Sequence, residues 1–183
     1  MGELFHSFED AWAYFVARHE PLESFWAGLS DDPDELLRLW LIIPPDEVKA
    51  AVRAVQASFR GLDWIAPLPE YFLHVSAGAS AADWSSLAPF PISYRRANCF
   101  HDAIIVEAHA DGAFLPPPFL PHLSIGYFRR PESAEGLREA VLPFRDVELG
   151  TGMVEEVVLC DVPIGKTTFF EPWRVVATVR LEG

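Results

Sequence analysis

Positive charge is what this sequence has least of. Its 183 residues carry 14 lysines and arginines against 27 aspartates and glutamates, a formal net charge of −13. That balance works against a broad footprint on duplex nucleic acid, where affinity comes mainly from cations paired with phosphates. A small phosphorylated ligand held by a few local cations remains open. Nearly all the cations are arginine, and only two adjacent pairs concentrate them, Arg95 with Arg96 and Arg129 with Arg130. Cysteine is scarce too. Cys99 and Cys160 stand far apart without a C-x-x-C spacing, which reads as two buried free thiols and not as a disulfide framework or a zinc site. Long apolar runs are missing. The opening "MGELFHSFEDAWAYF" has no basic start followed by an apolar stretch, and no segment reaches the length needed to cross a bilayer, so a soluble, cytoplasmic protein without a membrane partner is expected.

Half of the residues are apolar, enough for one good core, and no low-complexity tract or linker divides the chain. Ser7 followed by Asp10 resembles a helix cap before "AWAYFVARH", and "SDDPDELLRLW" offers Asp32 as a second cap with Pro33 in the first turn. Residues 1–37 are therefore expected as a helical N-terminal extension, with the main domain over 38–183. "LWLIIPP" reads as a buried strand from about Arg38 to Ile43. Val48, Ala51, Val52, Val55 and Phe59 then share one face at helical spacing, which predicts a helix from Pro45 to about Phe59. "SAADWSSLAPF" suggests a short helix capped by Ser80, and another helix begins near Ser133. The segments "YFLHVSAG", "FPISYRRANCF", "HDAIIVEAHA", "PHLSIGYF", "MVEEVVLCDVPI" and "WRVVATVRL" read as strands, and "GAFLPPPFL" as a proline-stiffened loop. Strands and helices mix without strict alternation. This predicts an α+β fold, helices packed on a largely antiparallel sheet.

One short pattern occurs twice. His74 precedes Ser76 in "YFLHVSAG", and His122 precedes Ser124 in "PHLSIGYF". Each copy has a proline-bearing approach and a glycine soon after. Strand side chains alternate faces, so each histidine shares a face with its serine. If the two strands lie side by side, four polar groups converge on one patch. Breaking a phosphodiester at neutral pH needs a base to activate the attacking water or hydroxyl and an acid to protonate the departing oxygen; two histidines fill those roles. The serine hydroxyls can donate to the phosphoryl oxygens as charge redistributes. On the plainer reading, each histidine is a half-buried strand residue and nothing more. Neither His6, His19, His101 nor His109 has a partner spacing that supports a role; "HDA" offers Asp102 as a residue near the cleft, against the favoured reading of a solvated loop residue. A zinc hydrolase built on His74 and His122 lacks an identifiable third ligand, so no metal and no cofactor is expected. Alternation places Phe72 with His74, and Phe128 with His122, as candidates to stack a base.

With these residues in view, the chain resembles the 2H phosphoesterase superfamily, in its 2′-5′ RNA ligase branch, which carries two H-x-S/T motifs matched here by "HVS" at His74–Ser76 and "HLS" at His122–Ser124. "LWLIIPPDEVKAAVRAV" is similar to that family's opening strand, proline and helix. "VEEVVLCDVP" and "EPWRVVATVRL" are similar to its closing strands, so the likeness covers roughly Leu39 to Leu181. The resemblance implies a bilobal fold with pseudo-twofold internal duplication and a central cleft, and metal-independent chemistry on 2′,3′-cyclic phosphates or 2′-5′ bonds of nucleotides and short RNA ends. Two departures stand out. Serine replaces the threonine common in the family, and "HADGAFLPPPFL" leaves little room for the helix usually found before the second motif. His74 and His122 are then the expected acid and base, Ser76 and Ser124 the phosphate holders, with Arg129 or Arg130 steering the phosphate. A monomer is expected, with a dimer as the alternative. The rival functional reading is a nucleotide or RNA-end binding module that keeps the site without turnover.

Overall fold

The computed structural model describes residues 5–79, 83–110 and 120–182. Among them, nine strands join into one sheet, and every pairing is antiparallel. The strands are β1 (Leu36–Ile42), β2 (Ile65–Pro67), β3 (Val75–Ala79), β4 (Phe90–Cys99), β5 (Ala103–Ala110), β6 (His122–Phe128), β7 (Glu148–Val154), β8 (Glu156–Pro163) and β9 (Arg174–Arg180). Their order across the sheet is β7-β4-β5-β6-β3-β1-β8-β9, with β2 paired to β6. The helices are α1 (Phe8–Ala17), α2 (Asp46–Ser58) and α3 (Glu135–Val141). The fold is α+β.

Local chemistry accounts for most of these elements. Ser7 caps α1, its hydroxyl accepting from the Asp10 amide at 3.0 Å, and Phe8, Ala11 and Phe15 form the buried stripe. α2 follows the paired prolines that end β1, opens on Asp46 and Glu47 against its N-terminal dipole, and buries Val48, Val52 and Val55. These join Leu123, Ile125, Ile104, Val106 and Phe128 in the main core.

Three expectations differ from what forms. No helix starts at Asp32; its carboxylate instead accepts the Asp34 amide at 3.0 Å, a local turn, and the chain enters β1 already at Leu36. Ser80 lies outside the described residues. Residues 83–89 are not helical, for the Asp83 carboxylate takes the Ser85 amide at 3.0 Å and the Leu87 amide bonds to Trp84. The stretch "MVEEVVLCDVPI" divides between the end of β7 and all of β8. Residues 112–119 of the proline loop are likewise outside the description. Ahead of β1, α1 is followed by a short 3-10 turn at Phe25–Gly28, and isolated bridges Leu22–Glu132 and Ser30–Gly165 tie this segment to the rest. Both cysteines are free and buried, and no described helix is long and apolar enough to cross a membrane.

Candidate functional site

The middle of the sheet brings the two H-x-S motifs together. β3 and β6 pair antiparallel with Val75 across from Leu123, and both of these side chains are buried in the core. His74 immediately precedes β3, after a 3-10 turn at Glu70–Phe72 where the sequence led one to expect strand; continuing the Val75–Leu123 register by one residue brings His74 opposite Ser124 and Ser76 opposite His122. All four lie on the face opposite to Val75 and Leu123. Each histidine therefore faces the serine of the other motif, and the histidines occupy diagonal positions, about 7 Å apart on a sheet face.

Each ring is oriented in the same way. His74 Nδ1 donates to the Phe72 carbonyl at 2.8 Å, and His122 Nδ1 donates to the Leu120 carbonyl at 2.7 Å, in both cases two residues back. With Nδ1 bearing the proton, the neutral ring keeps Nε2 as its acceptor. Burial lowers both pKa values, His74 to about 4, and the charge of His122 lowers His74 further. Both rings therefore start neutral at pH 7. The His74 ring meets Trp173 edge-on at 5.1 Å and Phe72 at 5.8 Å, while Phe100 stands edge-on to His122 at 4.8 Å.

Register decides which neighbours share this face. β6 carries a bulge, since Ile105 pairs with Ser124 but Ile104 with Gly126. One residue is added, and the alternation reverses beyond it. Tyr127, paired with Ala103, comes onto the face of Ser124, and Phe128 turns into the core beside Trp64 with no exposure. Phe128 is thus not a stacking residue, and the bulge is the reason. Tyr127 adjoins Ser124 closely enough for the hydroxyl to act on its phenol, which burial pushes up to about 12. Half-buried Asp102, beside it, adds a like charge and is itself raised by burial, so it is no solvated loop residue.

Phe72 offers no open face either. It is 1% exposed and packed among Phe169, Phe170 and Trp173, where it supports the His74 ring. Of the arginine pair, Arg129 continues the face of Tyr127 and lies 5.8 Å from the Trp26 ring centre. Arg130 points away, paired with Asp63 at 2.9 Å and Glu132 at 3.8 Å.

Next to His122, across the other neighbouring strand, stands Glu107, with no exposure. Arg96 meets it at 2.9 Å, His109 at 3.1 Å, Asn98 donates at 2.9 Å, and Arg145 donates to the same carboxylate. Desolvation alone would raise this carboxyl, yet His109, Arg145 and Asn98 hold it below its ordinary value. A single carboxylate inside the apolar run "AIIVEAHA" was the available sequence signal for this cluster, since a buried charge requires partners. Tyr127, Phe100 and Trp173 had no such signal. Among the described residues, no group of three or more histidines, cysteines or carboxylates is placed to hold a metal ion.

No known family profile matches the sequence, and no curated protein matches it. Solved structures do match. The TT0787 protein of Thermus thermophilus is 17% identical with a TM-score of 0.58, over 80% of this chain and 98% of that one. LigT of E. coli complexed with ATP is 15% identical with a TM-score of 0.53, over 81% of this chain and all of its own. LigT in its apo form is 14% identical with a TM-score of 0.54, over 90% of this chain and 99% of its own. LigT is also known complexed with 3′-AMP and with NADP+.

Proposed function

From the premise that this chain shares the fold of TT0787 and LigT, members of the 2H phosphoesterase superfamily, we propose that it is a metal-independent phosphodiesterase acting on 2′,3′-cyclic phosphates or 2′-5′ bonds of nucleotides or short RNA ends. The observation that carries this reading is the Val75–Leu123 register, which gathers His74, Ser76, His122 and Ser124 on one face. The matched motifs on either side of it support an internal duplication with the substrate between its halves. In the reaction, a water oxygen bonds to phosphorus as the bond to one ribose oxygen breaks. One histidine, neutral at Nε2, takes the proton of the water. The other, protonated, gives its proton to the departing oxygen. The phosphate's own negative charge favours that protonated form, offsetting the burial that lowers both rings. Ser76 and Ser124 donate to the non-bridging oxygens, and the Tyr127 phenol, protonated at neutral pH like any tyrosine, adds a third donor beside Ser124. Arg129, just past the second motif and over the Trp26 ring, is the cation assigned to steer the phosphate. Small nucleotides in complexes of LigT support a ligand of that size.

The test is incubation with 2′,3′-cyclic nucleotides and 2′-5′-linked dinucleotides in EDTA, following products by chromatography. Turnover is expected, and His74→Ala or His122→Ala lowers kcat on the order of a thousandfold. Tight nucleotide binding without turnover of any phosphodiester makes the protein a binding module instead, and loss of activity in EDTA refutes the metal-independent mechanism.

A further inference from the structure

We propose that the segment ahead of β1 is a working part of this site, with Phe25 a positioning residue that acts through Tyr127. The inference rests on the reading of the Ser124 patch as the phosphate-holding surface. The Phe25 ring lies flat against Tyr127, their centroids 3.7 Å apart and their planes 16° from parallel. Phe169 closes on the pair at 5.0 Å from Phe25 and 5.5 Å from Tyr127. A tyrosine has only two side-chain torsions, so holding its ring fixes where its hydroxyl lies. The turn bearing Phe25 is itself pinned on both sides. Ser24 Oγ donates to the Arg129 carbonyl at 2.9 Å, the Leu22 amide to Glu132 at 2.8 Å, and the Glu23 amide to His101 at 2.9 Å.

The same segment grips the other flank of the second motif. Asn98 Nδ2 donates to the Phe8 carbonyl at 2.9 Å, Glu9 pairs with Arg96 at 3.3 Å, and the Arg145 guanidinium lies 4.7 Å from the Trp12 ring centre. Asn98, Arg96 and Arg145 all bind Glu107, the cross-strand neighbour of His122. The single strand that carries His122 and Ser124, β6, is thus braced at Tyr127 and, through Glu107 on β5, at His122 by residues that precede the first strand.

A double-mutant cycle on the full chain tests this, read as 3′-AMP affinity by calorimetry and as KM and kcat on a 2′,3′-cyclic nucleotide. Phe25→Ala is expected to weaken 3′-AMP binding and raise KM by about fivefold to tenfold, with a smaller change in kcat, and Phe25→Tyr to restore both. In a Tyr127→Phe background, Phe25→Ala adds no further loss, because the hydroxyl it positions is gone. Should Phe25→Ala not fold, Phe25→Leu, which lacks the flat face, completes the same cycle. Affinity and KM within twofold of the parent, or an equal loss in both backgrounds, overturns the proposal and leaves Phe25 a packing residue. A parent protein that binds 3′-AMP without turnover refutes the phosphodiesterase reading, while the affinity cycle still decides the role of Phe25. A parent that does neither overturns both.

Discussion

His74 makes a prediction that can be worked through from its surroundings. Its ring is half-buried against Phe72 and Trp173, and desolvation brings its pKa to about 4 from an ordinary 6.5. In the unfolded chain the same ring titrates near 6.5. As pH falls, the unfolded state therefore takes up a proton first, and the folded state loses stability between about pH 6.5 and about pH 4, with no further loss from this group below that. At about 1.4 kcal/mol per pH unit, the full difference is on the order of 3 kcal/mol. The assay is urea unfolding at a series of pH values for the parent and for His74→Asn, whose amide can still donate to the Phe72 carbonyl. The variant is expected to lack about 3 kcal/mol of the acid-side loss, the remainder belonging to His122 and the carboxylates. Proton NMR of the ring gives a second reading. A His74 resonance titrating near pH 6.5, or identical pH slopes in parent and variant, refutes the account of burial as the dominant cause.

Other consequences are open to shorter tests. Because both histidines lie below their ordinary pKa in the free protein, kcat/KM on a cyclic nucleotide is expected to peak below pH 6.5 and to fall towards neutrality as the acid loses its proton; a maximum near pH 8 contradicts this. Glu107→Gln leaves Arg96 and Arg145 without their buried counter-charge and is expected to cost about 3 kcal/mol in chemical denaturation; a loss under about 1 kcal/mol means the cluster is solvated. Phe128→Ala removes a fully buried ring and should destabilise by about 3 kcal/mol while changing KM little in folded protein, whereas a large rise in KM would return Phe128 to the site. Cys99 and Cys160 are buried with thiols pushed up by desolvation, so neither should react with a thiol reagent at pH 8 until the protein unfolds.

The two H-x-S strands were legible because a period of two and a repeated motif are properties of short segments, and the same holds for α2, whose apolar stripe is complete in itself. The relation between motifs was less accessible. That His74 stands across from Ser124, and not beside Ser76 alone, depends on a pairing between residues far apart in sequence. The exchange of Phe128 for Tyr127 has a similar origin. Strict alternation selects Phe128, and only the partner strand, where Ile104 and Ile105 oppose Gly126 and Ser124, shows the added residue. Gly126 fits this arrangement, for a Cβ there would meet Ile65 at 3.1 Å. Near Asp32 the failure was local competition, a carboxylate binding its own backbone where a helix cap was expected. The aromatic shell of Phe25, Phe100 and Trp173 comes from three separate segments, and no pattern within any one of them marks a shared destination.

The seam between β3 and β6 carries a last consequence. Among the described residues these strands share the single position Val75–Leu123, whereas β4 and β5 are paired from Ile92 to Cys99. Among the described residues, the four H-x-S side chains straddle the thinnest junction in the sheet, and no single half holds a histidine with its opposing serine. Each half of the chain thus carries only one motif, and separated fragments would regain the full quartet only by re-forming this junction, so the proposed activity, once measured, would report whether the two halves are joined in register.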